Sequence, residues 1–401
     1  MTLTMRIRDF LIAAMVASAA GAASAQEPAS RADEHARAQA EKARVLHPAR
    51  KNWLEREFLS IESGPGFGAP TGLFLAFGDI KSGSGFALGP AYARLFDSGA
   101  VVQLKGVYSI RNFKLAQFAL TAPPLAQGRL TLSGRARWQD APSLAFYGLG
   151  TPSPKIRADY AETKTEVSAA AELRPVRLLR FGGSVGFERF ETGPPDSGKP
   201  RIETFFTGVP GLNADPDYLH ASVSAAIDAR AGTGYTRRGT LLRAVFHDFR
   251  QQNAGPYSFQ RTDGAAEQYV PILHGNWVLF LGLRASTTTA AAGHEVPFFL
   301  MPDLGGGNDL RGFGNYRFRD RHSMIFTAEY RWYAQEFLDA AVFYDAGKTV
   351  PNRGDLDFSG LQSDVGAGVR FHGPQTTALR IEVAHSREGF RLILAFSPVG
   401  R

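Results

Sequence analysis

An arginine in the middle of a glycine-rich run, followed by strands that carry carboxylates, is the arrangement in this chain best suited to specific polar chemistry. The run is Leu304-Gly-Gly-Gly-Asn-Asp-Leu-Arg-Gly-Phe-Gly-Asn-Tyr-Arg-Phe-Arg-Asp320, with Arg311 near its centre. Its glycines (Gly305, Gly306, Gly307, Gly312, Gly314) permit a tight backbone that residues with a Cβ resist. Runs of alternating apolar and polar residues lie on both sides, so the loop joins two strands. In the run after the loop, one face reads Met324, Phe326, Ala328, Tyr330, Trp332 and the other Ser323, Ile325, Thr327, Glu329, Arg331. In the next, Ala340, Val342 and Tyr344 share a face, which puts Asp345 on the same side as Glu329. Two carboxylates on neighbouring strands of a low-dielectric cavity repel unless a cation lies between them. A guanidinium is a planar fork that bonds carboxylates in fixed geometry, and Arg311 reaches them if the loop folds inward. Such a latch either stabilises the fold or gates a passage; the residues leave both open.

Other chemistry finds little support. Gly182-Gly183-Ser184-Val185-Gly186 matches the nucleophile-elbow pattern, but that pattern needs a strand-to-helix turn and these residues lie inside a strand-like run. The nine His are scattered without ligand spacing, so no metal site is expected. The acidic pairs Asp215/Asp217 and Asp355/Asp357 read as solvated loops. No phosphate-binding glycine loop is present and no cofactor is expected; the chain does not read as an enzyme, and no catalytic residue is assigned. Zero Cys excludes disulfides and thiol chemistry. A net charge of +7 without basic clusters and interleaved aromatics gives no footprint for nucleic acid.

The elements that position Arg311 and its partners follow from the rest of the chain. Residues 1–25 read as a cleavable export signal: Arg6 and Arg8, an apolar stretch from Phe10 to Ala22, then Ala23-Ser24-Ala25. Residues 26–71 form a short polar preface, a periplasmic handle or linker, with one helix-like charged run ending at Pro48. From 72 to the end, about sixteen runs of mostly eight to thirteen residues alternate in the dyad pattern, the length that tilted strands need to cross a bilayer. Long connections near 139–156, 191–217 and 288–321 contrast with short ones such as 273–275 and 373–375, and Trp277, Trp332 and Tyr344 suit interfacial girdles. The expected fold class is all-β: a transmembrane antiparallel β-barrel of about sixteen strands over 72–401, in the outer membrane and in contact with its lipids. Arg180, Arg243, Arg284, Arg331, Arg370, Arg380 and Arg391 fall on the inward face, which implies a slightly cationic interior or a mixed-charge wall plugged by the loop.

Here a family resemblance takes hold. Leu310-Arg311-Gly312-Phe313 resembles the tetrapeptide on the long sixth external loop of the outer-membrane assembly-barrel superfamily (BamA/TamA-like, bacterial surface antigen type). Phe343-Tyr344-Asp345-Ala346-Gly347 resembles its aromatic-x-Asp-x-Gly strand motif, Glu329 falls where the family carries an inward carboxylate, and Phe146-Tyr147-Gly148-Leu149-Gly150 is similar to another of its loops. The resemblance covers roughly 72–396, with eleven strands before the loop and five after. It implies a loop latch at Arg311, Gly312 and Phe313 with partners at Glu329, Asp345 and Gly347. It implies insertion or translocation of outer-membrane polypeptides, acting on unfolded clients or with a periplasmic partner; the alternative is a passive channel or structural barrel. It also implies a weak seam between the first strand, Gly72–Asp79, and the last, Gly389–Phe396, whose outward residues are Phe390, Leu392, Leu394 and Phe396. Two departures stand out: the preface is too short for the family's periplasmic POTRA modules, and Ser397-Pro398-Val399-Gly400-Arg401 follows the terminal aromatic.

Overall fold

The computed structural model describes residues 71–231, 236–272, 276–335, 337–372 and 377–396. Residues 1–25, read as an export signal, all of the expected preface but Thr71, and residues 397–401 lie outside these. No described helix is long and apolar enough to cross a membrane. The chain from residue 72 onward is made of strands.

Sixteen strands form one antiparallel sheet in which neighbours in space are neighbours in sequence. The first eight are β1 (Gly72–Asp79), β2 (Phe86–Leu95), β3 (Val101–Ser109), β4 (Lys114–Thr121), β5 (Leu130–Phe146), β6 (Ala158–Val176), β7 (Leu179–Gly193) and β8 (Asp217–Asp228). Then follow β9 (Gly239–Gln251), β10 (Phe259–Ile272) and β11 (Trp277–Thr289). The long connection 290–321 carries a two-residue ribbon, β12 (Asp303–Leu304) on β13 (Phe318–Arg319). Across it β11 pairs with β14 (His322–Tyr333), and the sheet continues through β15 (Leu338–Val350), β16 (Gln362–His372), β17 (Thr377–Ser386) and β18 (Gly389–Phe396).

The dyad pattern decides which face each residue takes. Along β15, Val342 and Tyr344 are exposed on the outer face, while Ala341, Phe343 and Asp345 are buried inside. Along β14, Tyr330 and Trp332 point out and Glu329 in. Leu, Val, Phe and Trp dominate the exposed outer positions of nearly every strand, from Leu73 to Leu394, as a lipid-facing wall requires. At the short-turn end Trp277 stacks on both Tyr330 (4.9 Å) and Trp332 (5.6 Å), placing amphipathic rings where headgroups begin.

β5 runs further than the alternation predicts, while β6 and β7 match it to within a few residues at their ends. β5 continues to Phe146 through Pro142, and its pairing with β6 slips between Ala141 and Leu144. That irregularity lets a proline sit in the strand, since a bulge needs no ladder donor there. The extension rises into the long-loop end. There one apolar cluster joins inward residues of β1 to β10, among them Ile80, Leu115, Phe146, Tyr160 and Phe249, to Phe298, Phe299 and Met301 of the long connection. Phe298 is packed edge-on by Phe146 (5.3 Å) and Tyr160 (4.8 Å). A packed core therefore occupies part of the long-loop half of the barrel.

Further down, the inner wall carries paired charges. Arg135 meets Glu166 at 2.7 Å, Lys164 lies between Glu166 (3.3 Å) and Glu188 (3.1 Å), and Glu188 reaches His220 at 3.0 Å. Arg180 is paired with Asp228 at 2.8 Å. Of the two interiors expected, the mixed-charge wall is the one that formed.

Candidate functional site: the latched loop and the seam

After Phe298–Leu300 the connection turns inward, and β12 and β13 close its stem. Its tip is seated by a small apolar cluster of Leu304, Leu310, Phe313, Phe318 and Ile325, with Leu310 and Phe313 fully buried. Between those two side chains lies Arg311. Its Nε and Nη2 donate to the two oxygens of Asp345 (2.7 and 3.0 Å), and Nη1 donates to Glu329 Oε1 (2.8 Å). A third carboxylate, Glu382, lies 3.5 Å from Nη1. The guanidinium also stacks over the Phe343 ring, 3.4 Å from its centre.

The spacing of Phe343, Asp345 and Gly347 now has a physical reason. Alternate residues of β15 share its inner face, so one motif supplies a ring under the cation, a carboxylate at its edge and a gap beyond. The gap is needed because a Cβ on Gly347 would lie 2.7 Å from Met324 O and 3.1 Å from Leu304 Cδ1. Gly312 answers the same need on the loop, where a Cβ would sit 2.6 Å from Asp364 Cβ and 2.9 Å from Ser386 Cβ. Its carbonyl accepts a hydrogen bond from Ser386 Oγ at 2.9 Å.

Three neighbours of the latch, Glu382, Arg370 and Asp364, were missed by pairing the loop with the next two strands alone. Arg370 of β16 donates to both oxygens of Glu329 (2.9 Å each) and to Glu382 Oε1 (2.8 Å), so it fixes the carboxylates that receive Arg311. Arg331 adds a further bond to Glu329 at 2.8 Å. Asp364, buried opposite Asp345 in the β15–β16 register, is the other unforeseen acid. Arg311, Arg331, Arg370 and Arg380 thus form one ion-pair network with Glu329, Asp345 and Glu382, to which the loop contributes Arg311. The signal was present: Arg370, Arg380 and Glu382 all lie on the inward face by parity.

Other arginines hold the loop from the wall. Arg391 of β18 donates to the carbonyls of Arg311 and Phe313 and to Asn315 Oδ1. Arg380 of β17 donates to Gly307 O at 2.7 Å, and Arg284 of β11 pairs with Asp309. From the loop, Arg317 reaches Glu388 (2.7 Å) and Ser153 O (3.0 Å), and Arg319 reaches Tyr160 and the carbonyl of Phe298. The glycine loop after β5 joins in, with Gly150 N bonded to Arg319 O at 2.8 Å.

Among the described residues the sheet does not close by a ladder. β1 and β18 stand at its two ends with no register between them. Antiparallel strands of equal length would align Phe396 with Gly72; instead Phe396 N donates to the carboxylate of Asp79, at the far end of β1 (3.2 Å). The Phe396 ring packs on Phe86, at the start of β2, at 4.9 Å. The two edge strands therefore meet at their tips, offset by about a strand length. Phe390, Leu392 and Leu394 are exposed on the outer face beside this gap.

Ser184 lies inside β7 with its hydroxyl on Ser222 Oγ (2.8 Å), in no nucleophile elbow. Among the described residues no group of His, Asp and Glu is arranged to hold a metal.

Comparison with known proteins agrees with this geometry. No curated protein matches the sequence. Among solved structures the chain is similar to BamA from Haemophilus ducreyi lacking POTRA domains 1–3, at 14% identity over 81% of this chain and 70% of that one, TM-score 0.60. It is also similar to CdiB from Escherichia coli, at 12% identity over 81% of this chain and 60% of that one, TM-score 0.53. At such identities these likenesses bear on the fold alone. Residues 102–388 match the Omp85 superfamily domain, and with a latched inner loop and a sixteen-stranded barrel on the page, the chain belongs to that superfamily.

Proposed function

We propose that this barrel resides in the bacterial outer membrane, exported by a signal over residues 1–25, and assists insertion or translocation of other outer-membrane polypeptides without catalysis. The observation that carries the proposal is the seam. Unpaired strand edges template new strands, and here β1 and β18 expose theirs at a tip-to-tip junction held by one described hydrogen bond. In this reading the latch of Arg311, Gly312 and Phe313 on Glu329, Asp345 and Gly347 keeps the wall in shape while the seam moves. A passive pore is the weaker alternative, because packed side chains occupy part of the long-loop half of the lumen.

The absence of native cysteine makes the test clean. An Asp79→Cys, Phe396→Cys variant joins the two tips at the point where they already touch. Wild-type protein in lipid vesicles is expected to speed the folding of an unfolded barrel client beyond empty vesicles. The oxidised variant should lose that acceleration and regain it with reductant. A wild type that gives no acceleration removes autonomous assembly, and an oxidised variant as fast as the reduced one removes the seam.

A further inference from the structure

We infer that the seam holds a phosphate-bearing lipid. Beside the free edge of β18 is a cavity of about 600 Å³, bounded by residues 79–86 after β1, the β3–β4 turn at Ile110 and Arg111, the loop tip at Gly307, Asn308 and Asn315, and residues 391–396. It lies where the β1–β2 and β3–β4 turns meet the free edge of β18.

Its inner wall carries two guanidiniums, Arg111 and Arg391. Both also line the adjoining cavity of about 470 Å³. Neither makes a salt bridge among the described residues: Arg111 donates to Gly83 O (3.0 Å), and Arg391 to Arg311 O, Phe313 O and Asn315 Oδ1. The carboxylate in the first cavity, Asp79, is engaged by Phe396 N, and Lys81 is engaged by Glu162. In the adjoining cavity Asp159 is occupied by Arg157, Ser143 and Ser197, and Asp196 is the second carboxylate on its lining. Two like charges sharing a partly desolvated wall favour an anion between them. Phosphate matches the planar forks of the pair.

The outer wall is apolar. Ile110 and Leu392 are 76% and 62% exposed, and Leu394 and Phe86 continue the strip towards the barrel exterior. A ligand that spans both walls has an anionic head and an acyl chain, which a soluble phosphate lacks. Seated there, it would cover the β18 edge until a client strand displaced it.

The test uses the full chain in a non-ionic detergent, titrated with dioctanoyl phosphatidic acid, dioctanoyl phosphatidylcholine and inorganic phosphate, with bound ligand read by native mass spectrometry. Phosphatidic acid is expected to bind as a single equivalent, well ahead of the other two. Arg111→Gln should weaken it on the order of tenfold or more, the loss of one charge-assisted hydrogen bond, and Arg111→Lys should restore part. Arg111 lies on an exposed turn, so both variants should keep the wild-type thermal transition. Equal binding of phosphatidylcholine would reduce the site to a greasy groove. Equal binding of inorganic phosphate would make the ligand a soluble anion, and an Arg111→Gln variant that binds as wild type would place the lipid elsewhere; each overturns the inference.

Discussion

Replacing Arg311 with alanine removes three hydrogen bonds to carboxylates, at 2.7, 3.0 and 2.8 Å, together with the stack on Phe343. It leaves Glu329, Asp345 and Glu382 buried with one cation fewer. Breaking a buried pair from one side costs about 3–5 kcal/mol, mostly as the penalty of the stranded charge. At about 1.4 kcal/mol per factor of ten, the seated loop loses roughly two to four orders of magnitude of its population advantage. The apolar cluster around Leu310 and Phe313 remains, so the sheet should persist while the loop opens. Hydrogen exchange on detergent-solubilised protein reads this directly through the amides of Phe313, bonded to Leu310 O, and Tyr316, bonded to Gly305 O. Both should exchange faster by a factor of that order in Arg311→Ala, with a smaller change in Arg311→Lys, which keeps the charge but not the fork. Wild-type exchange rates at both amides in Arg311→Ala would refute the reasoning and assign the seating of the loop to apolar packing alone.

Two further outcomes follow from close approaches and charge. Gly312→Ala and Gly347→Ala each drive a Cβ into neighbours under 3.0 Å away, so each should lower the urea midpoint by about 1–3 kcal/mol equivalent, whereas Gly354→Ala, which meets nothing within 4 Å, should not. In the connection after β15, the Lys348 ammonium and then Ser359 hold Asp357 well below the ordinary carboxylate range. A depressed acid contributes stability that is present above its unfolded value and lost as pH falls through its folded one. The Ser359 amide, bonded to Asp357 Oδ1 at 3.0 Å, should therefore stay protected as pH falls past ~4 and lose protection only in stronger acid.

Much of this was legible in the residues because a strand writes its two faces into its sequence. Alternation placed Glu329 and Asp345 inside and Tyr330 and Val342 outside, and the glycines around Arg311 marked the loop that reaches them. Arg370, Glu382 and Asp364 were harder, since parity says that a side chain points inward but not at what height it meets another strand. Height depends on register and tilt, which accumulate from one hairpin to the next. The length of β5 escaped for a related reason: at its C-terminal end both faces are buried, and the alternation that announces a strand fades there. The tip-to-tip seam is the sum of fifteen registers and is written in no single segment.

The order of the sheet also sets where it would come apart under load. A wall whose neighbours follow the chain can be unrolled from either end, one hairpin at a time, like a scroll. The loop changes that symmetry. Through Arg391, Ser386, Arg380 and Arg284 it is lashed to β18, β17 and β11, whereas towards the first strand it has the bond from Tyr316 to Ser82 O. Tension on the C-terminal end must therefore break a set of guanidinium contacts before β18 peels, while β1 is held by its pairing with β2, the Asp79 bond and apolar packing at Ala76, with no guanidinium contact from the loop among the described residues. The barrel has a fixed doorpost and a hinged door, and the door is the strand that begins it.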